Sequence, residues 1–409
     1  MIAKREKKEI TFMKNTGLNY SRQNNIILSG LKFLIMANVL SLVPYRIFPA
    51  KFGGQKCIAH FNEYFSEYHS LYCITVEENK PSFASYEVIN TLGNSRLRYI
   101  NIFYFGRIKK IIRENNISHI IIEHPYFGWL ALLLKRFCKV KLIVHSHNIE
   151  AERFKTIGKW WWKLLWYYER FVHRHADFTF CITEEDRQYF LKQYSIAPEK
   201  ISLITYGIPW NSLPPVEDHA EAKSRLLKKY SLAPGTVFYL FNGAFDYKPN
   251  LDALENILER INPLLIESDI NYKIFICGKN LPVKMNELKE YAERDVIYAG
   301  FVEDISLYFK AADIFINPVT DGGGIKTKLV EALGYNLTAV STKNGATGVD
   351  EKICNGKLIL CENNDWQAFA DKMLEATDYG QSVPPEFFNH FYWDNIAEKA
   401  SLIVLEMEN

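Results

Sequence analysis

Short apolar runs alternate with longer amphipathic stretches along most of the chain, and the whole alternation occurs twice. Runs of Val, Ile, Leu and Phe without polar interruption read as strands buried on both faces, and such strands joined by helices form parallel sheets. The first series comprises Leu31–Leu40, Leu71–Val76, Ile117–Glu123, Lys141–His145, Asp177–Thr183 and Ile201–Ile204. Helices are predicted after a loop at 49–54, over Tyr99–Asn115 and over Trp129–Phe137. The polar, proline-containing stretch from Ile208 to Asp218 reads as a hinge. A second series follows: Val237–Asn242, Tyr272–Cys277, Val296–Ala299, Ile314–Asn317, Leu337–Ser341 and Lys357–Leu360, with a helix over Asn250–Asn262. The α/β class with two Rossmann-like parallel-sheet domains is therefore expected, as the 409-residue length also suggests. The expected boundaries are a flexible basic lead-in over 1–25, a first domain over 26–207 completed by a helix at 390–409, and a second domain over 208–389. Right-handed crossovers gather the loops that follow the strands on one face of each sheet, so the ligand site is expected in the cleft between the domains.

Bulk properties exclude several classes. A net charge of +2 argues against non-specific binding of nucleic acid as the main task. The seven cysteines are scattered and form no Cys-x-x-Cys pair or Cys/His cluster with zinc spacing, so buried thiols in a reducing compartment are expected and no metal centre. The first thirty residues are polar and carry no signal-peptide pattern, and the apolar stretch from Leu31 to Val43 is interrupted by Lys32 and too short to span a bilayer. A cytoplasmic location follows as the expectation.

The strongest local signal is Gly322-Gly323-Gly324, between the predicted strand at 314–317 and a helical pattern from Ile325 onward. Glycines let the backbone approach a ligand and take positive φ, and the helix start behind them presents free N–H groups and the positive end of its dipole. Lys326 and Lys328 add cations, and Glu331 adds a carboxylate about two turns in. That combination suits a phosphorylated ligand with hydroxyl groups. Gly243 ends another strand, followed by Lys248 as a second phosphate contact and Asn250 as the expected helix cap. An ordinary surface lysine is the other reading of Lys248. His145 and His147 end a first-domain strand, and imidazole can donate to a developing phosphate charge or a sugar hydroxyl.

In order along the chain, Phe241-Asn242-Gly243, Ile276-Cys277-Gly278, Ala299-Gly300-Phe301, Ala312-Asp313-Ile314-Phe315-Ile316-Asn317-Pro318, Gly322-Gly323-Gly324 and Lys328-Leu329-Val330-Glu331-Ala332-Leu333 resemble the retaining glycosyltransferases of the group 1 / family 4 type, with the GT-B fold. The resemblance covers nearly the whole chain. It implies two Rossmann-like domains facing a cleft, with a C-terminal helix around Trp393 crossing back onto the first domain. It implies Glu331 on the ribose hydroxyls of a nucleotide, Lys248 near the donor diphosphate, and Gly53-Gly54 in a flexible loop near the donor phosphates and acceptor. His147 would stand near the donor sugar and β-phosphate, with His145 its rival. Glu123 and Tyr126 are weaker acceptor contacts, for which strand-end packing is an equal reading. The family commonly carries a glutamate, seven residues, then a second glutamate; the second matches Glu331 and the first falls on Gly323.

The expected activity is transfer of a sugar from a nucleotide-diphosphate donor to a saccharide or lipid-linked saccharide with retention of configuration, without a metal or other cofactor. The alternatives are a nucleotide-sugar hydrolase or epimerase of the same fold, and a non-catalytic nucleotide-sugar-binding partner in polysaccharide assembly, which the missing first glutamate would favour. Trp160-Trp161-Trp162, followed by Trp166, Arg170 and Arg174, reads as an aromatic-basic helix suited to peripheral contact with the inner membrane, or alternatively as a core-facing stripe.

Overall fold

A computed structural model describes residues 36–50, 53–81, 84–376 and 381–408. The lead-in at 1–25, residues 31–35 of the first expected strand and residues 51–52 of the expected loop lie outside the described residues.

The first sheet has seven parallel strands in the order β3-β2-β1-β4-β5-β6-β7. They are β1 Asn38–Leu42, β2 Ser70–Val76, β3 Glu87–Leu92, β4 His119–Glu123, β5 Lys141–Ser146, β6 Phe178–Cys181 and β7 Ile201–Leu203. Helix α1 (Gly53–Phe65) follows β1, α2 (Phe103–Glu114) follows β3, and α3 (Gly128–Cys138) follows β4. Helices α4 (Glu150–Thr156) and α5 (Trp162–His175) together join β5 to β6. The inner faces of α2, α3 and α5 share one apolar cluster against the sheet, through Ile108, Leu134 and Val172 among others.

The second sheet has six parallel strands in the order β10-β9-β8-β11-β12-β13. These are β8 Val237–Ala244, β9 Tyr272–Lys279, β10 Val296–Gly300, β11 Ile314–Asn317, β12 Thr338–Thr342 and β13 Leu358–Cys361. Before β8 runs α6 (Val216–Tyr230), and after it α7 begins at Lys248 and continues to Asn256. Helix α8 (Ile305–Ala311) precedes β11, and α9 (Thr327–Gly334) follows the glycine loop. In both sheets the strand order reverses direction next to the first strand, the arrangement that opens a crevice at the strand ends.

The chain then returns. Helix α10 (Trp393–Glu406) packs on α1 of the first sheet, and Tyr68 donates to Asp394 at 2.7 Å. Ile208, in the stretch read as a hinge, forms a parallel bridge with Tyr392. The link between the sheets is thereby clamped to the returning segment, and α6 starts at Val216 inside the expected hinge.

Several sequence expectations need correction. Among the described residues the first strand is Asn38–Leu42, two residues longer at its end than expected, in register with β2 and β4. Strand β3 has a half-exposed edge pattern, with few of the apolar residues that betray a buried strand, and was not expected from the sequence. Gly53 and Gly54 are the first residues of α1 and not loop. Asn250 is not a cap: α7 begins at Lys248, and the Asn250 amide donates to Ala244 O at 3.1 Å from within the helix. Helix α9 starts at Thr327, so Glu331 stands in its second turn.

Trp393 is the keystone of the return. It is almost fully buried, edge-on to Tyr206 at 5.4 Å and stacked near His60 at 6.2 Å. Gly207 runs so close that a Cβ there would meet the Trp393 ring at 2.7 Å. Trp393→Ala should lower the unfolding free energy by about 3–5 kcal/mol, read as a drop in midpoint in denaturant titration; a loss within experimental scatter would show that the crossing contributes little.

Candidate functional site

The site is built where the ends of the two sheets face each other. Helix α1 starts at Gly53, and a Cβ placed there would stand 3.3 Å from Thr327 Oγ1, in the first residue of α9. The N-termini of two helices from opposite halves thus meet, and neither helix takes acidic residues in its first turn. Lys326 occupies the N-cap position of α9 and makes no side-chain cap bond there. Two positive dipole ends with unsatisfied N–H groups make this point attractive to an anion.

The glycine loop closes on the same point. Gly322 and Gly324 take φ of 89° and 72°, a conformation that costs other residues strain. A Cβ on Gly324 would lie 2.4 Å from Asn148 Oδ1 and 3.4 Å from the His147 carbonyl, so the loop rests directly on the segment following β5. The Lys326 ammonium folds back on the loop, donating to Gly322 O at 2.5 Å and Gly324 O at 3.0 Å. Lys328 donates to Asn242 O and Asn250 Oδ1, each at 3.2 Å, and lies over the Phe241 ring at 4.0 Å. Gly243 matters because Asn250 packs against it, where a Cβ would meet the amide at 2.8 Å. Burial pulls the Lys326 ammonium down to about 8, with Asp321, Asp186 and Glu185 opposing. Burial holds Lys328 well below the usual lysine range, and the charge of Lys326 adds to the effect. Two half-buried, under-neutralised cations at a double helix start form a site suited to negative charge.

Lys248 is not part of this group. Its side chain is 79% exposed and pairs with Asp252 one turn along α7. An i,i+4 partner on its own helix satisfies it more readily than the cleft does.

Glu331 faces the cleft from α9. Its carboxylate accepts from Tyr206 at 2.8 Å and pairs with Lys56 of α1 at 3.4 Å. Beside it lies a cavity of about 160 Å³ whose lining includes His60, Trp210, Phe309 and Tyr335. Phe309 and Tyr335 stack at 5.3 Å, and Trp210 lies 4.7 Å from Tyr335. Lys56, Tyr206 and Trp210 escaped sequence reading because they carry no local pattern; only the tertiary fold brings them to α9.

On the other wall, the β4 and β5 ends hold a buried polar cluster. Glu123 is fully buried and takes His147 Nε2 at 2.6 Å and His145 Nδ1 at 3.1 Å. Burial alone would raise the Glu123 carboxyl, yet the two imidazoles hold it far below the usual carboxylate range. For His147, burial and the neighbouring His145 oppose the charge, while the Cys57 thiol and Glu123 outweigh them and raise its pKa. Next to it, His124 stands 2.9 Å from Glu150 and 2.9 Å from the Tyr45 hydroxyl, and Tyr126 donates to Glu150 at 2.5 Å. Burial opposes ionisation of Glu150, but His124, Arg153 and Tyr126 bring it down to about 2. Glu123 and Tyr126 are therefore committed to internal partners, and His147 meets the cleft chiefly through its main chain at Gly324. Donor atoms of Glu123, His145 and His147 all lie within 4.8 Å of one another, a spacing that could hold a metal ion. No spacing rule announces this grouping, because the three donors come from the ends of adjacent strands and not from a short local motif.

Of the three consecutive tryptophans, Trp161 packs on Phe154 at 4.6 Å and Trp162 lies under Lys155 at 4.9 Å. Both are half-buried, and of the three Trp160 alone is exposed. No helix among the described residues is long and apolar enough to cross a membrane.

Two family profiles match in tandem: one described as Glycosyltransferase Family 4 over residues 53–209, and one described as Glycosyl transferases group 1 over residues 237–378. Among characterised relatives, the Escherichia coli UDP-Gal:alpha-D-GlcNAc-diphosphoundecaprenol alpha-1,3-galactosyltransferase is 24% identical over 287 residues, 66% of this chain and 68% of its own. The chitobiosyldiphosphodolichol beta-mannosyltransferase of Debaryomyces hansenii is 21% identical over 348 residues, 76% of this chain and 73% of its own. Among solved structures, the sucrose-phosphate synthase of Thermosynechococcus elongatus superposes with a TM-score of 0.69 at 14% identity, covering 90% of this chain and 99% of its own. Anabaena HepE, solved in complex with UDP, gives 0.67 at 14% identity over 90% and 99%. At those identities the structural likeness carries the fold alone.

Bound negative charge favours the protonated form of both half-buried lysines, so binding takes up protons wherever the free site has lost them. Affinity for a nucleoside diphosphate should therefore fall as pH rises past about 8, with proton uptake measured by calorimetry in buffers of different ionisation enthalpy. Affinity independent of pH across that window would remove Lys326 from the anion site. Glu331→Ala should weaken the same binding by at least about tenfold, the worth of one charge-assisted hydrogen bond.

Proposed function

The chain belongs to the group 1 and family 4 glycosyltransferases, and from that premise we propose that it moves a sugar from a nucleoside diphosphate onto a saccharide or lipid-linked saccharide with retention of configuration. The observation that carries the reading is the meeting of the α1 and α9 N-termini over Lys326 and Lys328, between the two sheets. A diphosphate fits that point, Glu331 is near enough to take the ribose hydroxyls, and the aromatic cavity beside it suits a base. The relatives' names support the acceptor class: one acts on a diphosphoundecaprenol-linked sugar and another on a diphosphodolichol-linked one.

In this reading the bond between the anomeric carbon and the β-phosphate oxygen breaks first. Negative charge collects on the phosphate, where two helix ends and two ammonium groups already stand, so little reorganisation is needed. The acceptor hydroxyl forms its bond on the face the phosphate leaves, and its proton passes to the departing phosphate oxygen. The cations of the chain supply the charge that a metal would otherwise supply. His147, held by Glu123, keeps the β5 end in contact with the glycine loop and is read as a positioning residue beside the donor sugar.

The test is incubation with UDP- and GDP-sugars in turn and a synthetic saccharide-diphosphoprenol acceptor, with product configuration read by NMR. A product with the donor's anomeric configuration, formed undiminished in EDTA, is expected. Inverted product would reject retention, loss of turnover in EDTA would give the Glu123–His145–His147 group a metal, and free sugar released without acceptor would make the protein a hydrolase.

A further inference from the structure

His124 holds a backbone conformation that its side chain makes costly. It follows β4 at φ 68° and ψ 159°, a region that glycine alone enters freely. Successive side chains of a regular strand point to opposite faces. Here the consecutive residues Glu123 and His124 both reach His147, the carboxylate at 2.6 Å and the ring at 4.7 Å between centroids. The turn thus takes the imidazole out of the alternation of the strand and sets it between Tyr45 and Glu150. Strain of this kind clusters where a side chain is held in a place that relaxed backbone would not give it.

The three side chains form a line. The Tyr45 hydroxyl stands 2.9 Å from His124 Nε2, and His124 Nδ1 stands 2.9 Å from Glu150 Oε1. The second contact is too bent for an aligned hydrogen bond, as contacts between proton-transferring groups often are before a ligand binds. Glu150 is fully buried, and its other oxygen takes Tyr126 and Arg153. With a carboxylate facing Nδ1, the proton of a neutral ring belongs on that nitrogen, and Nε2 accepts from Tyr45. Burial lowers His124 against the pull of Glu150, while His147 and Glu123 act on the ring from the other side with opposite signs. Burial raises the Tyr45 phenol well above its ordinary value, and Glu123 adds to this. Neutral hydroxyl, neutral imidazole and ionised carboxylate are the resting forms of a triad in which a base is oriented by an acid.

Tyr45 also stands beside the anion point. Its hydroxyl lies 3.7 Å from the place of a Cβ on Gly54, in the first turn of α1. Its carbonyl accepts from the buried Thr75 of β2 at 2.9 Å, which ties the loop that carries it to the sheet. We propose that Tyr45, His124 and Glu150 form a proton relay at the α1 end of the cleft. The relay rests on the transfer reading above and carries it one step further. The proton that the acceptor hydroxyl gives to the departing phosphate oxygen moves on to the Tyr45 oxygen, as the Tyr45 proton moves to His124 Nε2. One O–H bond forms and one breaks at Tyr45, an N–H bond forms at His124, and the imidazolium is paired with ionised Glu150. Tyr45 is the group that meets the substrate; His124 and Glu150 act through it as positioning residues.

The test is turnover of the full chain with UDP- and GDP-sugars and the saccharide-diphosphoprenol acceptor, for wild type, Tyr45→Phe and His124→Gly. Glycine suits the backbone at 124, so His124→Gly removes the imidazole without adding strain. A cooperative thermal transition shows that it folds, and Tyr45→Phe, at a half-buried position, carries the test if it does not. Each variant should lose about a hundredfold in kcat with the KM for donor unchanged. Imidazole added to His124→Gly should restore turnover, and pyrazole, of the same shape and far less basic, should not. Variants as active as wild type, a loss confined to KM, or rescue by pyrazole equal to that by imidazole would overturn the relay and leave the transfer reading standing. Free sugar released without acceptor, and lost in both variants, would keep the relay with water as the hydroxyl and reject transfer. No turnover of any donor by wild type would overturn both.

Discussion

Everything in the cleft depends on two helix N-termini being aimed at one point from opposite halves of the molecule. Parallel sheets impose this: each strand hands the chain to a helix at its carboxyl end, and right-handed crossovers leave those ends on one side. The α1 start at Gly53 can approach the α9 start at Thr327 because Gly53 has no Cβ to hold them apart. Glycine is needed there for closeness and not for its φ. Once the ends meet, the positive potential is a property of the backbone, and Lys326 and Lys328 reinforce what is already present.

Placing cations in such a site has a cost that the surroundings only partly offset. The loop carbonyls solvate Lys326, and Asn250, Asn242 and the Phe241 face solvate Lys328, yet none of these ligands is a full negative charge. A site whose cations are solvated by dipoles stays receptive to an anion, whereas one neutralised by carboxylates would not. Lys248 illustrates the contrast. Asp252 neutralises it, and its side chain is exposed on α7. Across the cleft, the Glu123–His147 pair shows the opposite economy: charge and partner are both buried, so the cluster fixes the β5 end in place.

Much of this was legible in the sequence, for identifiable reasons. Buried parallel strands advertise themselves as apolar runs, so eleven or so of them could be placed to within a few residues; β3 could not, because it lies at the sheet edge with half its residues facing water. The glycine loop, Lys326, Lys328 and Glu331 are contiguous and carry their chemistry within ten residues, so local pattern sufficed. Asn250 misled because a residue that looks like a cap was spent on Lys328 and Ala244 O instead. Lys56, Tyr206, Trp210 and the Glu123–His145–His147 cluster are gathered by topology from separate elements, and no spacing rule reports that. The tryptophan run drew notice, yet folding half-buries two of its three rings and leaves Trp160 and Phe103 exposed.

The glycine at 323, where the family commonly has a glutamate, is not forced by crowding. Gly323 has no positive φ, and a Cβ there would find its nearest neighbour, Asn148 Oδ1, at 4.0 Å. A side chain would fit. A carboxylate at that place, however, would sit on the loop whose carbonyls hold the Lys326 ammonium, and would compete as a full charge for a cation now solvated by dipoles. Leaving glycine there keeps Lys326 uncommitted and its pKa low, at about 8. The same vacancy removes one acceptor from the wall that faces the His147-Asn148 segment, which leaves Asn148 and the loop backbone as the polar groups on that side. Gly323 therefore bears on the charge state of Lys326, whereas the meeting of the two helix starts, which the missing Cβ of Gly53 permits, does not depend on it.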